Sequence, residues 1–123
     1  MTEKRLRVGK AGEMAAISHL EKQGYTILET NYRCPLGEID IIARDRKTTV
    51  IVEVRTKTGL KFGRPEESIT PKKAYRLRRL ALYYLQSVYK REISCRIDLV
   101  AVILNENDNS VRTLNHIKGI LSG

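Results

Sequence analysis

Three acidic residues occupy positions where a basic soluble chain is expected to carry apolar side chains. Glu13 lies in a helical pattern, Asp40 lies in the run Gly37-Glu38-Ile39-Asp40-Ile41-Ile42-Ala43, and Glu53 lies in Val50-Ile51-Val52-Glu53-Val54-Arg55. Asp40 and Glu53 are each flanked by Ile or Val on both sides, in segments with the pattern of central strands, where charged residues are depleted. Carboxylates embedded in this way need a cation, and Mg²⁺ and Mn²⁺ are the ions that prefer such oxygen ligands.

The spacing of the strand acids predicts that two of them converge. Alternate residues of a strand share a face, so Glu38, Asp40 and Arg44 form one set, and Glu53 and Arg55 form another, about 7 Å apart. If the two strands are neighbours, Asp40 and Glu53 repel each other unless a divalent ion lies between them. Such an ion can polarise a phosphodiester and activate a water molecule. The alternative is that both acids are solvent-facing residues of amphipathic strands.

A third acid comes from the first predicted helix. On a helical projection Glu13 lies beside Ile17 and Leu20, on the face that is expected to pack toward the sheet. A carboxylate on this face would join the metal site. The alternative is that its long side chain extends past the apolar surface to water.

Length and composition bound the class of protein. The chain has 123 residues, of which 41% are hydrophobic and 30% charged, which is typical of a single soluble globular domain spanning residues 1–123. No apolar run approaches the roughly 20 residues of a membrane span. The charged N-terminus carries no signal-peptide core, so we expect a cytoplasmic protein. Cys34 and Cys95 are far apart and lack metal-ligand spacing, and are expected to be reduced thiols.

The charge balance indicates a polyanionic partner. Lys and Arg number 23 against 14 Asp and Glu, which gives a net charge of +9, and clustered cations supply most non-specific affinity for nucleic acids. Anionic membrane is the competing target. The basic residues are spread along helices and strand ends and do not form one juxtamembrane block, which favours nucleic acid over membrane. A merely soluble basic surface is the remaining alternative.

The hydrophobic periodicity predicts the element order αβββαββ. Helices are predicted at residues 9–23 and 71 to about 91, and strands at 25–32, 38–44, 48–57, 94–104 and 111–117. This order is typical of an α/β layered domain in which helices flank a mixed β-sheet. Residues 58–69 are predicted to be a mobile loop directly after the acidic strand, in a position to close over a substrate. His19 and His116 have no partner in the sequence and are interpreted as structural or surface residues.

The second predicted helix offers a surface for DNA. Residues 72–91 contain seven basic residues and no acidic one, whereas a plain solvated helix interleaves acids for i, i+4 pairing. Tyr83 is predicted to lie in the basic stripe, for stacking on bases or hydrogen bonding to the nucleic-acid backbone. No base-reading motif is present, so recognition of shape is favoured over recognition of sequence. The predicted nucleic-acid contacts are basic residues of this helix and of the strand ends, namely Arg44, Lys57, Lys72, Arg76, Arg79 and Lys90.

Taken together, these motifs resemble a known family. An acid in the first helix is followed by Gly-Glu-Ile-Asp-Ile-Ile-Ala at 37–43, Val-Glu-Val-Arg-Thr-Lys at 52–57 and a basic helix. In this order they resemble the PD-(D/E)xK endonuclease-like superfamily, and more narrowly the YraN family of bacterial proteins, which is similar to archaeal Holliday-junction resolvases. The resemblance covers residues 9–102. It implies a restriction-endonuclease-like core, a divalent metal at Asp40 and Glu53, and Glu13 as an accessory metal or water ligand.

One residue departs from the superfamily pattern. The superfamily keeps a lysine two residues after the strand glutamate, to orient the attacking water or stabilise the phosphate, and here that position holds Arg55. An arginine matches phosphate oxygens but does not lose its proton at working pH, so it cannot act as a general base. Lys57 lies one pleat further on the same face and could share the role if the strand end bends inward.

The hypothesis from the sequence is a Mg²⁺- or Mn²⁺-dependent endonuclease that hydrolyses DNA phosphodiester bonds. Its predicted catalytic residues are Glu13, Asp40, Glu53 and Arg55, the first three also being the metal ligands. Branched, damaged or single-stranded DNA are the candidate substrates. The alternatives are a non-catalytic DNA-binding or partner-docking module on the same fold, and a basic protein–protein adaptor. A resolvase would need a two-fold dimer, and no stretch of the sequence indicates a dimer face.

Overall fold

The order of helices and strands is the predicted one, with one short addition. The computed structural model describes residues 2–59, 61, 63–89, 91 and 93–120. Its elements are α1 (Glu3–Lys22), β1 (Thr26–Cys34), β2 (Gly37–Asp45), β3 (Thr48–Thr58), a 3₁₀ helix (Pro65–Ser68), α2 (Pro71–Val88), β4 (Cys95–Leu104) and β5 (Val111–Ile117). The 3₁₀ helix lies within the segment that the sequence predicts to be a loop.

The two helices differ from the prediction at their ends. Helix α1 begins at Glu3 instead of residue 9, because Thr2 caps it by accepting a hydrogen bond from the Arg5 backbone nitrogen at 3.3 Å. The first turn is charged and carries little apolar periodicity, so its helical character is hidden in the sequence. Helix α2 starts as predicted, with Thr70 as N-cap and a proline in the first turn. It ends at Val88, short of the predicted residue 91.

The five strands form one mixed sheet in the order β1-β2-β3-β4-β5. Neighbouring strands are antiparallel except β3 and β4, which are parallel. A parallel pair needs a long crossover connection, and the chain makes it through α2. The α/β architecture with a mixed sheet and two helices is therefore confirmed. Within the described residues, no helix is long and apolar enough to cross a membrane.

Two apolar cores lie on opposite faces of the sheet. Ala16 and Leu20 of α1 pack on one face, and Leu77 and Leu80 of α2 pack on the other. Val88, the last residue of α2, is 53% exposed. Val52 of β3 packs in the core under α1 and Ile51 in the core under α2, and residues of both helices line cavities with Arg55 further along this strand.

Strand β2 departs from strict alternation at Asp40. Ile41 packs in the α1 core, whereas Ile39 and Ile42 both pack in the α2 core. Residues 39 and 41 would share a face in a regular strand, so the regular pleat is interrupted between them. The strict alternation from which Glu38, Asp40 and Arg44 are predicted to share one face is therefore broken between residues 39 and 41. The irregularity places Asp40 between the two faces of the sheet.

Candidate functional site

The candidate site lies where β2 and β3 part. Their backbone pairing runs from Asp45 and Thr48 to Ile41 and Val52. Just beyond the last pair, the Asp40 side chain replaces the backbone as the link between the strands. Its Oδ2 accepts a hydrogen bond from the Val54 backbone nitrogen at 2.8 Å. This bond ties the two strands together and fixes the Asp40 carboxylate beside the strand segment that carries Glu53.

Asp40 and Glu53 form a pair of interacting carboxyl groups, as the sequence predicts. The pKa of Glu53 is raised to about 7, first by burial and then by the negative charge of Asp40 and a hydrogen bond shared with it. The positive charges of Arg55 and Lys73 oppose the increase. The Glu53 side chain is only 13% exposed. A second negative charge in this pair is therefore unfavourable unless a proton or a cation compensates it.

Arg55 provides such a cation. Its Nη2 lies 2.6 Å from Glu53 Oε2, so the predicted site residues Glu53 and Arg55 are in direct contact. Its Nε is buried and has no hydrogen-bond partner within the described part of the chain. Buried donors are normally paired, so the guanidinium has unused capacity to bind an oxygen anion at this position.

Glu13 reaches the same region from the α1 face. Burial and the charge of Asp40 raise the pKa of Glu13, the charge of Glu38 adds to this, and a hydrogen bond from Asn31 partly offsets it. The Asn31 amide lies 3.1 Å from Glu13 Oε1 and 3.0 Å from Glu38 Oε1. Both acceptors are carboxylates, so the nitrogen is the atom that faces them. Asn31 thus holds two of the acids that surround Asp40.

Asn31 owes this position to an unusual backbone conformation. Its φ is +52°, in the left-handed region that asparagine tolerates better than most residues. In the β1–β2 register it lies opposite Asp40, between the pairs Thr30–Ile41 and Tyr32–Ile39. Both strands are therefore irregular at the same level of the sheet. Asn31 is not among the predicted site residues, although an asparagine in the middle of a strand is itself a signal of irregularity.

Three cavities that share lining residues lie at the carboxylates and beside them. A cleft of about 730 Å³ lies along the N-terminal half of α1 and includes Glu13, Asp40 and Arg55; we call it the α1 cleft. A smaller pocket of about 200 Å³, the acidic pocket, contains Glu38, Asp40, Glu53 and Arg55 and is closed by α2. Asp40 and Arg55 line both cavities, so they lie between the α1 cleft on one face of the sheet and the acidic pocket on the other.

The third cavity continues the acidic pocket along α2. We call it the α2 groove; it has a volume of about 480 Å³, and Lys73 and Arg76 line both it and the acidic pocket. The Arg76 guanidinium packs closely against Gly37 at the β1–β2 turn. A Cβ atom on Gly37 would lie only 2.7 Å from Arg76 Nη2. Leucine and tyrosine side chains line the groove together with one threonine and four basic residues. These are Leu36, Tyr75, Thr70, Lys72, Lys73, Arg76 and Arg79.

The predicted nucleic-acid contacts separate into three groups. Lys72, Arg76 and Arg79 lie together in the α2 groove, as the sequence predicts. Lys57 lies in the α1 cleft beside Arg55. Arg44 lies at the far end of β2, opposite Thr26 and Thr49, about 13 Å along the strand from Asp40, and is not brought to the site. Lys90 lies outside the described residues.

The three predicted metal ligands fit a metal site only in part. Among the described residues, no three His, Cys, Asp or Glu side chains are grouped so that they could hold a metal ion. Asp40 and Glu53 are together, whereas Glu13 lines the α1 cleft and Glu53 lines the acidic pocket. Mg²⁺ is commonly held by one or two carboxylates together with water and substrate phosphates. The donor set therefore fits an ion held by Asp40 and Glu53, with Glu13 outside the immediate pair.

Comparison with known proteins gives the family. The family model described as "Uncharacterised protein family UPF0102" matches residues 12–102. A UPF0102 protein of Moorella thermoacetica is 50% identical over 119 residues, covering 97% of this chain and 98% of the relative. A UPF0102 protein of Desulfitobacterium hafniense strain Y51 is 45% identical over 121 residues, covering 98% and 100%. The chain belongs to the UPF0102 family. This confirms the family-level part of the resemblance seen in the sequence.

The UPF0102 match contains all four predicted catalytic residues. Residues 12–102 include Glu13, Asp40, Glu53 and Arg55 and all of α2. They exclude the first turns of α1, where Lys4 and Arg5 line the α1 cleft. These two basic residues were missed in the sequence analysis because α1 was predicted to begin after them.

Two further residues of the site were missed. Lys73 lines the acidic pocket and its charge opposes the raised pKa of Glu53. Tyr75 is 66% exposed and lines the α2 groove. The signal for both was present in the basic helix. A projection alone does not show where that helix crosses the sheet, so it could not assign Lys73 to the acids.

A second polar cluster lies on the α1 face, away from these carboxylates. Asp98 is fully buried, and its Oδ2 accepts a hydrogen bond from His116 Nε2 at 2.8 Å. His19 Nε2 lies 3.1 Å from His116 Nδ1. Arg96 Nε and the Gly119 backbone nitrogen both donate to Asp98 Oδ1 at 3.0 Å. The two histidines therefore connect α1 to β4 and β5, in agreement with the structural reading of these residues.

Proposed function

We propose that this protein is a divalent-metal-dependent endonuclease-like enzyme that hydrolyses phosphodiester bonds in DNA. The observation that carries the proposal is the pairing of Asp40 and Glu53 at the point where β2 and β3 part. These carboxylates share a pocket with Arg55, and that pocket opens into a groove lined by basic residues. Negative groups for a metal and positive groups for phosphate are thus adjacent.

The residues have distinct roles in this proposal. Asp40 and Glu53 would hold Mg²⁺ or Mn²⁺, which would supply charge neutralisation at the phosphate and an activated water. Arg55 binds a phosphate oxygen through its guanidinium, and a fixed positive charge at this place stabilises charge that develops in the transition state. Glu13, on the other side of Asp40, positions water in the α1 cleft. Lys73 lines the acidic pocket with Asp40 and Glu53, and its amine takes the role left by the missing motif lysine.

DNA is favoured as the partner by the distribution of charge. The chain has a net charge of +9, and α2 carries Lys72, Arg76 and Arg79 on the side that leads to the acids. Basic residues clustered along one groove provide affinity for a phosphate backbone through counterion release. We further propose that the fold belongs to the PD-(D/E)xK endonuclease-like superfamily. An acid on α1, acids on two adjacent strands and a crossover helix with basic residues support this placement.

One observation favours a second function. Arg55 already contacts Glu53 at 2.6 Å and partly compensates its charge. A carboxylate that is satisfied by an internal cation has less need for a metal ion. In the second proposal the chain keeps the basic surfaces and binds DNA without cutting it.

A cleavage assay separates the two proposals. Linear, nicked, flapped and four-way-junction DNAs are incubated with wild type and with Asp40→Asn, in EDTA, Mg²⁺ and Mn²⁺. We expect cleavage by wild type in Mg²⁺ or Mn²⁺ alone, and its loss by at least about 100-fold in the variant. Glu21→Gln, at an exposed position of α1, is the matched control and should cleave like wild type. Cleavage that persists in Asp40→Asn would sink the assignment.

Metal binding is measured separately from cleavage. Binding of Mn²⁺ to the native state raises the melting temperature by mass action. We expect this increase in wild type and its absence in both Asp40→Ala and Glu53→Ala. DNA binding with no metal-dependent stabilisation and no cleavage would support the non-catalytic function instead.

A further inference from the structure

We propose that the α2 groove binds single-stranded nucleic acid, with a base stacked on Tyr75 and the neighbouring phosphates held by Lys72, Arg76 and Arg79. The binding itself follows from the groove alone. That the bound strand is delivered to Asp40 and Glu53 rests on the proposed endonuclease function.

Tyr75 is the first observation. Its side chain is 66% exposed on α2, whereas Tyr84 on the opposite side of the same helix is buried. Lys72 precedes it by three residues and Arg79 follows it by four, so all three share one face of the helix. An exposed aromatic ring between two cations is what proteins use to bind single strands, because stacking accepts any base and the cations follow the backbone.

The ring that the sequence suggests for this role is a different one. Tyr83 was predicted to lie among the basic residues, but its side chain is half-buried and lies near Tyr32 of β1. Tyr83 does not line the α2 groove, whereas Tyr75 does. The aromatic residue available for stacking is therefore one turn from the start of α2, beside the acidic pocket.

The size of the groove discriminates between single-stranded and duplex DNA. Its volume of about 480 Å³ lies within the range of about 300–1,000 Å³ that is typical of small-ligand sites. It is suited to one nucleotide with its base turned toward the protein. In a duplex the bases are stacked inside and present only their edges, so Tyr75 would have no ring face to contact.

The α2 groove leads into the acidic pocket. Lys73 and Arg76 belong both to the α2 groove and to the acidic pocket. Arg76 also lies against Gly37 in the β1–β2 turn, which places its guanidinium between the two cavities. A phosphate next to the stacked nucleotide would therefore approach Arg76 first and the Asp40–Glu53 pair next. Tyr75 would set which bond lies at the acids.

The test measures binding in EDTA, where no metal-dependent cleavage can occur. Labelled oligothymidylate of about 15 nucleotides, a hairpin duplex and an abasic strand with the same number of phosphates are titrated against wild type, Tyr75→Ala and Leu82→Ala. Leu82 is 52% exposed on the same helix and controls for loss of exposed apolar surface. We expect Tyr75→Ala to weaken binding of oligothymidylate by about 5- to 100-fold. Binding of the abasic strand and of the duplex should change by less than about 2-fold in both variants.

A second variant reports on stacking directly. The chain contains no tryptophan, so Tyr75→Trp introduces a single indole whose fluorescence is quenched by a stacked base. We expect quenching by oligothymidylate and none by the abasic strand or by inorganic polyphosphate. Equal affinity of Tyr75→Ala and wild type for oligothymidylate, or equal quenching by the abasic strand, would overturn the proposal.

The outcome is independent of the catalytic assignment. If Tyr75→Ala weakens binding and no cleavage is seen in Mn²⁺, the groove binds single strands and the endonuclease proposal fails. If cleavage is seen and Tyr75→Ala affects neither binding nor the cleavage position, the endonuclease proposal stands and the single-strand groove is wrong.

Discussion

Asp40 Oδ2 accepts a hydrogen bond from the Val54 backbone nitrogen at 2.8 Å, just past the last backbone pair between β2 and β3. The Asp40 side chain thus adds one hydrogen bond between β2 and β3 beyond the end of their backbone pairing. The same carboxylate is the one whose charge raises the pKa values of both Glu13 and Glu53. Asp40 therefore has a structural role and an electrostatic role at once, and the two can be separated by substitution.

The structural role predicts a difference between two Asp40 variants. Asp40→Asn retains an oxygen that can accept from Val54, whereas Asp40→Ala leaves this backbone donor unpaired, which costs about 1–3 kcal/mol when the donor is buried. Both variants remove the charge, so the repulsion with Glu53 is absent in each. We expect Asp40→Ala to be less stable than Asp40→Asn by about 1–3 kcal/mol in urea unfolding. Equal stability of the two would show that the bond to Val54 contributes nothing.

The electrostatic role predicts that Glu53 destabilises the metal-free protein above neutral pH. Its folded pKa is about 7 and its unfolded value is 4.5, so the folded state holds the proton more tightly. The stability that this provides is present below pH 4.5 and is lost as the pH rises to about 7. Glu53→Gln resembles the protonated group at every pH. We expect it to be more stable than wild type by about 1–3 kcal/mol at about pH 8 in EDTA, with no difference at about pH 4.

The measurement is the free energy of urea unfolding of both proteins across this pH range. Glu21→Gln controls for the loss of one negative charge at an exposed position of α1. Addition of Mn²⁺ at about pH 8 should stabilise wild type and leave Glu53→Gln unchanged, because only the former offers two carboxylates. A Glu53→Gln variant that is less stable than wild type at about pH 8 would contradict the prediction.

Strand and helix patterns predicted most of the fold because they depend on local chemistry. The alternation in β3 assigned Val50 and Val52 to one core and Ile51 to the other, as found. Thr70 and the proline after it located the start of α2. The acids Asp40 and Glu53 could be paired because two strands with a short turn between them are expected to be neighbours.

The rest of the site depends on non-local irregularities that a sequence pattern does not record. The break in alternation at Asp40 coincides with the positive φ of Asn31 on the adjacent strand and with the bond to Val54. A regular-strand reading therefore placed Asp40 on one face when it lies between two. The position of Lys73 over Glu53 depends on where α2 crosses the sheet, which is set by packing of Leu77 and Leu80.

Close packing of α1 on β3 predicts a large effect at one glycine and a small one at another. A Cβ atom on Gly12 would lie 1.9 Å from Thr56 Oγ1 and 2.8 Å from Thr56 Cβ, whereas one on Gly9 would meet nothing within 4 Å. Gly12→Ala must push the helix away from the strand, and we expect a loss of about 1–3 kcal/mol. Gly9→Ala should be stabilising by about 0.5–1 kcal/mol, because alanine is the better helix former.

A double-mutant cycle tests the contact itself. Thr56→Gly removes the atoms that the new methyl group would meet, so Gly12→Ala combined with Thr56→Gly should lose less stability than the sum of the two single changes. Additive effects would show that the helix tolerates the methyl group by another route. The same displacement would carry Glu13 away from Asp40, since Glu13 is the next residue on α1.

The cluster of His19, His116 and Asp98 predicts the opposite pH dependence to that of Glu53. Burial, His116 and Lys118 lower the pKa of His19. Burial alone would raise the pKa of Asp98, but hydrogen bonds from His116, Arg96 and the Gly119 backbone outweigh it and lower the pKa. Both groups take up protons less readily in the folded state than in the unfolded state.

Because both pKa values are lowered in the folded state, the protein loses stability as the pH falls. The stability contributed by neutral His19 is fully present above about pH 6.5, its model value, and is lost as the pH falls below it. Asp98 adds a further loss only in more acidic solution, below its ordinary pKa of 3.8. His19→Gln removes the first titration and keeps a side-chain nitrogen that can donate to His116 Nδ1.

We therefore expect the free energy of unfolding of wild type relative to His19→Gln to decrease between about pH 7 and pH 5. Comparison with this variant is needed because protonation of Glu53 acts in the other direction over the same range. A combined Glu53→Gln and His19→Gln protein should show the flattest profile of the four, since neither group titrates in it. The dependence would have a different origin if His19→Gln retained the slope of wild type in the Glu53→Gln background, where the carboxylate no longer contributes.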